Sequence, residues 1–184
     1  MRTDAAIRQA LTTQQVLALT LWAEARGQGR AGLEAVGSVI RNRAANPGWW
    51  GRDVRGVCLR PWQFSCWNPG QDANHLRLMG LADQLIIQAA PPSKLDRKLP
   101  LCLDVAQGIL DGSIPDRVDG CDHYFSPKGM VPRGSVPQWA RDPLTDLPRP
   151  PVVIVGDHWF YRLGLDGLPA PPKAPANLRI GRTA

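Results

Sequence analysis

Glutamate is scarce in this chain of 184 residues, which has only Glu24 and Glu34. Tyrosine is equally rare, with Tyr124 and Tyr161 alone, and histidine occurs three times, as His75, His123 and His158. The four cysteines (Cys58, Cys66, Cys102 and Cys121) contain no CxxC pair. A zinc site would therefore need ligands converging from distant segments, and neither a metal nor any other cofactor is expected. Cys58 and Cys66 flank a short segment that an oxidising compartment could bridge, but free thiols are the default expectation. No apolar run approaches the length that spans a bilayer. The opening Met1-Arg-Thr-Asp-Ala-Ala-Ile-Arg lacks the apolar core of a secretory signal, so no cleavable leader is expected.

What is present points to one loop-rich domain. Eighteen prolines and eighteen glycines imply many turns, and the length suits a single core. The formal net charge of +6 suits an anionic polymer, either nucleic acid or a bacterial envelope. Arg26, Arg30, Arg41, Arg43, Arg52, Arg55 and Arg60 are interrupted by apolar residues and build no nucleic-acid reader motif, so a nucleic-acid partner is not expected. The folded part is expected over 1–168, followed by a Pro-rich tail over 169–184.

Helical periodicity predicts a first helix to about Ala25, N-capped by Thr12 or Thr13, and a second over about 32–44, stopped by Asn46-Pro47-Gly48. It returns over about 73–89 and 100–111, with a loop at Ala90-Pro-Pro-Ser. Residues 53–68 read as a short hairpin or irregular β segment, and Val152–Val155 as a strand. The class is α+β: a mostly helical single domain with a small β element.

Glu24 sits seven residues after Leu17 and three after Leu21, on the buried stripe of the first helix. A carboxylate there is costly to ionise, and a glutamate that stays protonated near neutral pH is a general acid. Gly27 and Gly29 end the helix and leave the carboxyl at an open edge. Pairing with Arg26 or Arg30 is the simpler alternative. Glu34 lies off the stripe formed by Leu33, Val36 and Ile40 and is expected to be solvated.

Four words in order resemble the SleB/CwlJ-like cell wall hydrolase family. They are Trp22-Ala-Glu24-Ala-Arg-Gly27 with Ala35-Val-Gly-Ser-Val-Ile-Arg-Asn-Arg43, then Gln63-Phe-Ser65-Cys-Trp67, His123-Tyr-Phe-Ser-Pro127 and Gly156-Asp-His-Trp-Phe-Tyr161. The resemblance covers roughly 17–162. It implies a lysozyme-like fold, peptidoglycan glycan strands as substrate, and Glu24 as catalytic acid/base. Where the family often carries a further acidic residue, this chain has Gln28, which weakens a two-carboxylate mechanism. A lytic transglycosylase needs one such residue only and is the expected activity. A hydrolytic muramidase using Asp72, Asp122 or Asp157, an amidase and a non-catalytic glycan-binding module are the alternatives.

Sugars offer apolar faces and hydroxyl edges, so substrate contacts are expected from Gln63, Ser65, Trp67 and Asn68 on one wall. His123 and Tyr124, with His158 and Tyr161, are expected on the other. Core packing is the competing reading for Phe64 and Trp67, and for Trp49-Trp50, which could otherwise grip glycan. A monomer is expected. The implied setting is a phage-type lysin held in the cytoplasm until release, or an enzyme carried by a virion-like particle.

Overall fold

A computed structural model describes residues 2–70 and 72–164. The Pro-rich segment 169–184 lies outside the described residues. The centre is α2 (Thr13–Ala25), whose residues Val16 to Trp22 are all buried. A helix apolar on every side belongs inside a core, so α2 is sheathed rather than laid on a surface. Thr12 caps it: its Oγ1 accepts from the Gln15 N–H at 3.2 Å, while Gln15 Oε1 accepts from the Thr12 N–H at 2.9 Å.

Against α2 pack α3 (Gly29–Ala45), α4 (Val54–Leu59), α5 (His75–Ile86) and α7 (Leu99–Leu110). A short α1 (Asp4–Ala10), capped by Thr3, rests on α5, and one turn, α6 (Pro92–Leu95), stands where a loop was expected. The expected β segment over 53–68 is instead α4 followed by a 3₁₀ turn at Ser65–Trp67. Asp53 explains the difference, because its Oδ1 accepts from the Gly56 N–H at 2.6 Å and starts a helix that β-branched composition alone disfavours.

The sheet is small: β1 (His123–Phe125), β2 (Val153–Val155) and β3 (His158–Tyr161), antiparallel in the order β1-β3-β2. Two of these strands exceed the single strand read from the sequence. Tyr124 pairs with Phe160 and His123 with Tyr161, so adjacent residues of β1 face opposite sides. One side, with Phe160, packs on Ala35 and Val39 of α3; the other, with Phe125 and Tyr161, packs on Ala140 and Trp139. The class is α+β and mostly helical.

Glu34 departs from its expected solvation. It is buried at 7% exposure and bridges Arg30 at 3.4 Å and Arg117 at 2.8 Å, because α7 and the loop after it cover that side of α3. All four cysteines are buried free thiols, and loss of solvation pushes the Cys58 thiol up to about 12.

The α3–α7 crossing depends on Gly37, where an added Cβ would come within 2.8 Å of Ile109 Cγ1. Gly37→Ala is expected to lower stability by about 1–3 kcal/mol through overpacking. Urea unfolding of the two proteins measures it, and an unchanged midpoint would show that the crossing has slack.

Candidate active site

Glu24 stands in the last turn of α2, where the helix leaves the core and the chain turns through Arg26–Gln28 into α3. Its carboxyl faces a cavity of about 370 Å³ walled also by Arg43 of α3, Gln63 and Phe64 before the 3₁₀ turn, Tyr124 of β1 and His158 of β3. Ser126, Gly129 and Met130 close another side. Glu24 is the sole carboxylate among the described residues of this lining.

The Tyr124 hydroxyl donates to Glu24 Oε2 at 2.9 Å. Burial lifts the carboxyl above its ordinary value, and this outweighs the Tyr124 hydrogen bond, which favours the anion. The negative charge of Asp72 lifts it further, and Arg43 offsets part of the rise. Tyr124 itself is held well above the ordinary phenol value, first by burial and then by the charge of Glu24, so it remains a donor.

Arg43 is the cation of the pocket. It lies three residues after Ile40 and seven after Val36, on the buried stripe of α3, so the argument that singled out Glu24 applies to it equally. Its Nε donates to the Asp122 carbonyl at 2.7 Å and its Nη1 to Gln63 Oε1 at 2.8 Å. Burial lowers its pKa, opposed by Tyr124, Asp122 and Glu24.

His158 is 6% exposed, and its buried Nδ1 has no hydrogen-bond partner among the described residues. Its ring meets Tyr124 edge-on at 5.3 Å. Burial lowers its pKa despite Asp157 beside it, which keeps the imidazole neutral near pH 7. The turn carrying it is locked to the end of α2 by Gln28, whose Oε1 accepts from the Asp157 N–H at 3.0 Å and whose Nε2 donates to Asp157 Oδ2 at 3.3 Å. A Cβ on Gly156, at φ +57°, would lie 2.4 Å from Gln28 Oε1, so this brace requires glycine. Gln28 thus has a structural task that the sequence reading, attentive only to a missing acid, did not see.

The other expected site residues divide. Gln63 and Tyr124 line the cavity, whereas Ser65 and Asn68 lie beside it without lining it. Ser65 Oγ donates to Asp72 Oδ2 at 2.8 Å, and the Asn68 backbone N–H donates to the Ser65 carbonyl at 2.9 Å. Trp67 belongs to the core at 1% exposure, its indole donating to Thr20 Oγ1 at 2.9 Å. Trp50 is also core, its indole donating to the Arg43 carbonyl at 3.0 Å. His123 and Tyr161 face the opposite side of the sheet. His123 Nδ1 bonds Asp122 Oδ1 at 2.8 Å and its ring meets Trp139 at 5.1 Å, while Tyr161 stacks on Phe125 at 5.9 Å. Strand alternation accounts for this: placing Tyr124 on the cavity sends His123 away from it. Phe64, Phe125 and Ser126 fall inside the family words without being expected on the cavity, and Gly129 and Met130 carry no signal of their own in the sequence.

Among the described residues no group of three or more His, Cys, Asp or Glu side chains is disposed to hold a metal ion, and no helix is long and apolar enough to cross a membrane. A carboxyl whose pKa burial raises, with a phenol donor that supports its anion, is suited to deliver a proton and take one back. The sequence profile of the family described as Cell Wall Hydrolase matches residues 27–161. The chain belongs to that family. The match begins three residues after Glu24, so the case for Glu24 rests on the geometry and the resemblance. No curated protein and no solved structure matches the chain; the lysozyme-like description therefore rests on the resemblance.

Tyr124→Phe removes the hydrogen bond that favours ionised Glu24, so the Glu24 carboxyl should titrate at higher pH than in wild type. NMR titration of the Glu24 side-chain carboxyl in both proteins tests this. A midpoint that stays put or falls would show that the bond does not govern the acid.

Proposed function

We propose that the protein cleaves the bond between N-acetylmuramic acid and N-acetylglucosamine in peptidoglycan as a lytic transglycosylase, with Glu24 as its acid and base. The observation that carries this reading is the pairing of a single cavity-lining carboxyl, raised in pKa by burial, with the Tyr124 hydroxyl. Protonated Glu24 donates to the glycosidic oxygen, and the bond from the muramic anomeric carbon breaks as N-acetylglucosamine leaves with a 4-hydroxyl. Positive charge develops on the sugar while Glu24 becomes an anion held by Tyr124. The muramic 6-hydroxyl then closes on the anomeric carbon and gives its proton to Glu24. The net result moves one proton from O6 to the leaving oxygen, consumes no water and restores the protonated glutamate.

His158 and Gln63 suit the sugar's polar edges. A neutral imidazole whose buried Nδ1 has no partner among the described residues offers a hydrogen bond to a hydroxyl or acetamido group, and the Gln63 amide nitrogen stays available while Arg43 holds its oxygen. Peptidoglycan is the expected partner and no nucleic-acid site is proposed.

Asp72 favours a second reading, the hydrolytic muramidase. Burial raises its pKa, but the Asn74 N–H, Ser65, the Asn74 amide and the Arg26 charge together hold it below the ordinary value. Two carboxyls with environments that push their pKa values apart form the usual acid-plus-anion pair of a hydrolase. Asp72 is near enough for its charge to act on Glu24, yet it does not line the cavity, and the transglycosylase reading is preferred on that ground.

Mass spectrometry of fragments released from purified peptidoglycan separates these readings. Wild type should release 1,6-anhydro-muropeptides, and Glu24→Gln should lose activity by at least about 10²-fold. Reducing-end products would favour hydrolysis with Asp72. Free stem peptides would indicate an amidase, and silence from wild type a glycan-binding module.

A further inference from the structure

Trp62 breaks two local rules at once. Its backbone is in the left-handed region, at φ +69°, where a bulky side chain is strained. The turn is Arg60-Pro61-Trp62-Gln63, closed by the Gln63 N–H donating to the Arg60 carbonyl at 3.1 Å. The third position of such a turn, after proline, is the place glycine takes in type II geometry. The side chain is also 37% exposed, while the other six tryptophans are buried or half-buried. Trp62 is partly in solvent and belongs to none of the hydrophobic core clusters, so core packing does not account for it.

Its place supplies a reason. The next two residues, Gln63 and Phe64, wall the Glu24 cavity, and both are pinned: Gln63 by Arg43, Phe64 by burial beneath the Arg43 guanidinium at 5.9 Å. Trp62 does not line the cavity itself, but its turn leads directly into the two residues that do, and its indole is partly open to solvent. A polymer threaded past Glu24 must leave the cavity at its rim. A sugar ring offers an apolar face there, and an indole is the side chain that matches it.

We propose that Trp62 is a stacking platform for a sugar ring of the glycan strand outside the Glu24 cavity, a positioning residue that lengthens the site. The proposal rests on the glycan-cleaving reading given above and adds the residue that grips the strand. Trp62 takes no proton and makes no bond; it holds the polymer so that the scissile link meets Glu24. Its strained backbone is a cost to folding retained for that grip.

The test uses Trp62→Gly and Trp62→Phe with glycan strands stripped of stem peptides. Glycine relieves the turn, so Trp62→Gly should melt no lower than wild type. It should nevertheless raise KM for long strands roughly five- to tenfold, with kcat largely kept. Trp62→Phe should retain most of the affinity. An unchanged KM for Trp62→Gly, or a loss of kcat alone, overturns the platform. A second measurement does not depend on cleavage: in Glu24→Gln, added glycan strands should shield the exposed tryptophan fluorescence from iodide, and failure to shield it overturns the proposal. If wild type releases no sugar fragments while shielding persists, the catalytic reading fails and the platform stands.

Discussion

A buried guanidinium organises this molecule. Arg43 enters the interior on the stripe of α3 that otherwise holds Leu33, Val36 and Ile40. A charge there is tolerable only when its donors are satisfied. The Asp122 carbonyl just ahead of β1 satisfies one and Gln63 another, while the rings of Trp50 and Phe64 flank it at 5.5 and 5.9 Å. One side chain therefore joins the second long helix, the turn after α4 and the start of the sheet. The same charge favours ionisation of Glu24 and Tyr124. Fold and site share this residue, and the cavity exists because the elements that wall it are tied to one cation.

Around that cation, two effects of opposite sign set the behaviour of Glu24. Burial alone would hold the carboxyl neutral and make it a poor base. The Tyr124 hydroxyl alone would hold it ionised and make it a poor acid. The observed arrangement keeps burial the larger while retaining the hydrogen bond, so both protonation states have support. The edge of His158 against Tyr124 fixes the phenol ring, and Gln28 fixes the turn that carries His158.

Much of this was legible in the sequence where a polar residue broke an apolar rhythm. Glu24 stood out for that reason, and Arg43 bears the same mark. The long helices were legible because their periodicity runs for several turns. Local composition failed over 53–68, where a single Asp53 cap decided for helix against β-rich neighbours. It failed also for Trp67, since an indole that seeks a sugar and one that seeks Thr20 look alike as letters. His123 and Tyr124 show a third kind of gap: which of two adjacent strand residues faces the cavity is set by pairing with Tyr161 and Phe160, 38 and 36 positions away in a segment read only as a word. Glu34 was misjudged because its cover comes from Arg117, well beyond the reach of helical counting.

The carboxyl and its phenol partner are separated by 100 positions, and the last wall of the cavity arrives only with His158. During synthesis, a chain emerging from the ribosome carries the glutamate early but has no donor to address it and no enclosure to desolvate it. The site is complete only when the closing hairpin docks, so its assembly depends on contacts spanning nearly the whole described chain.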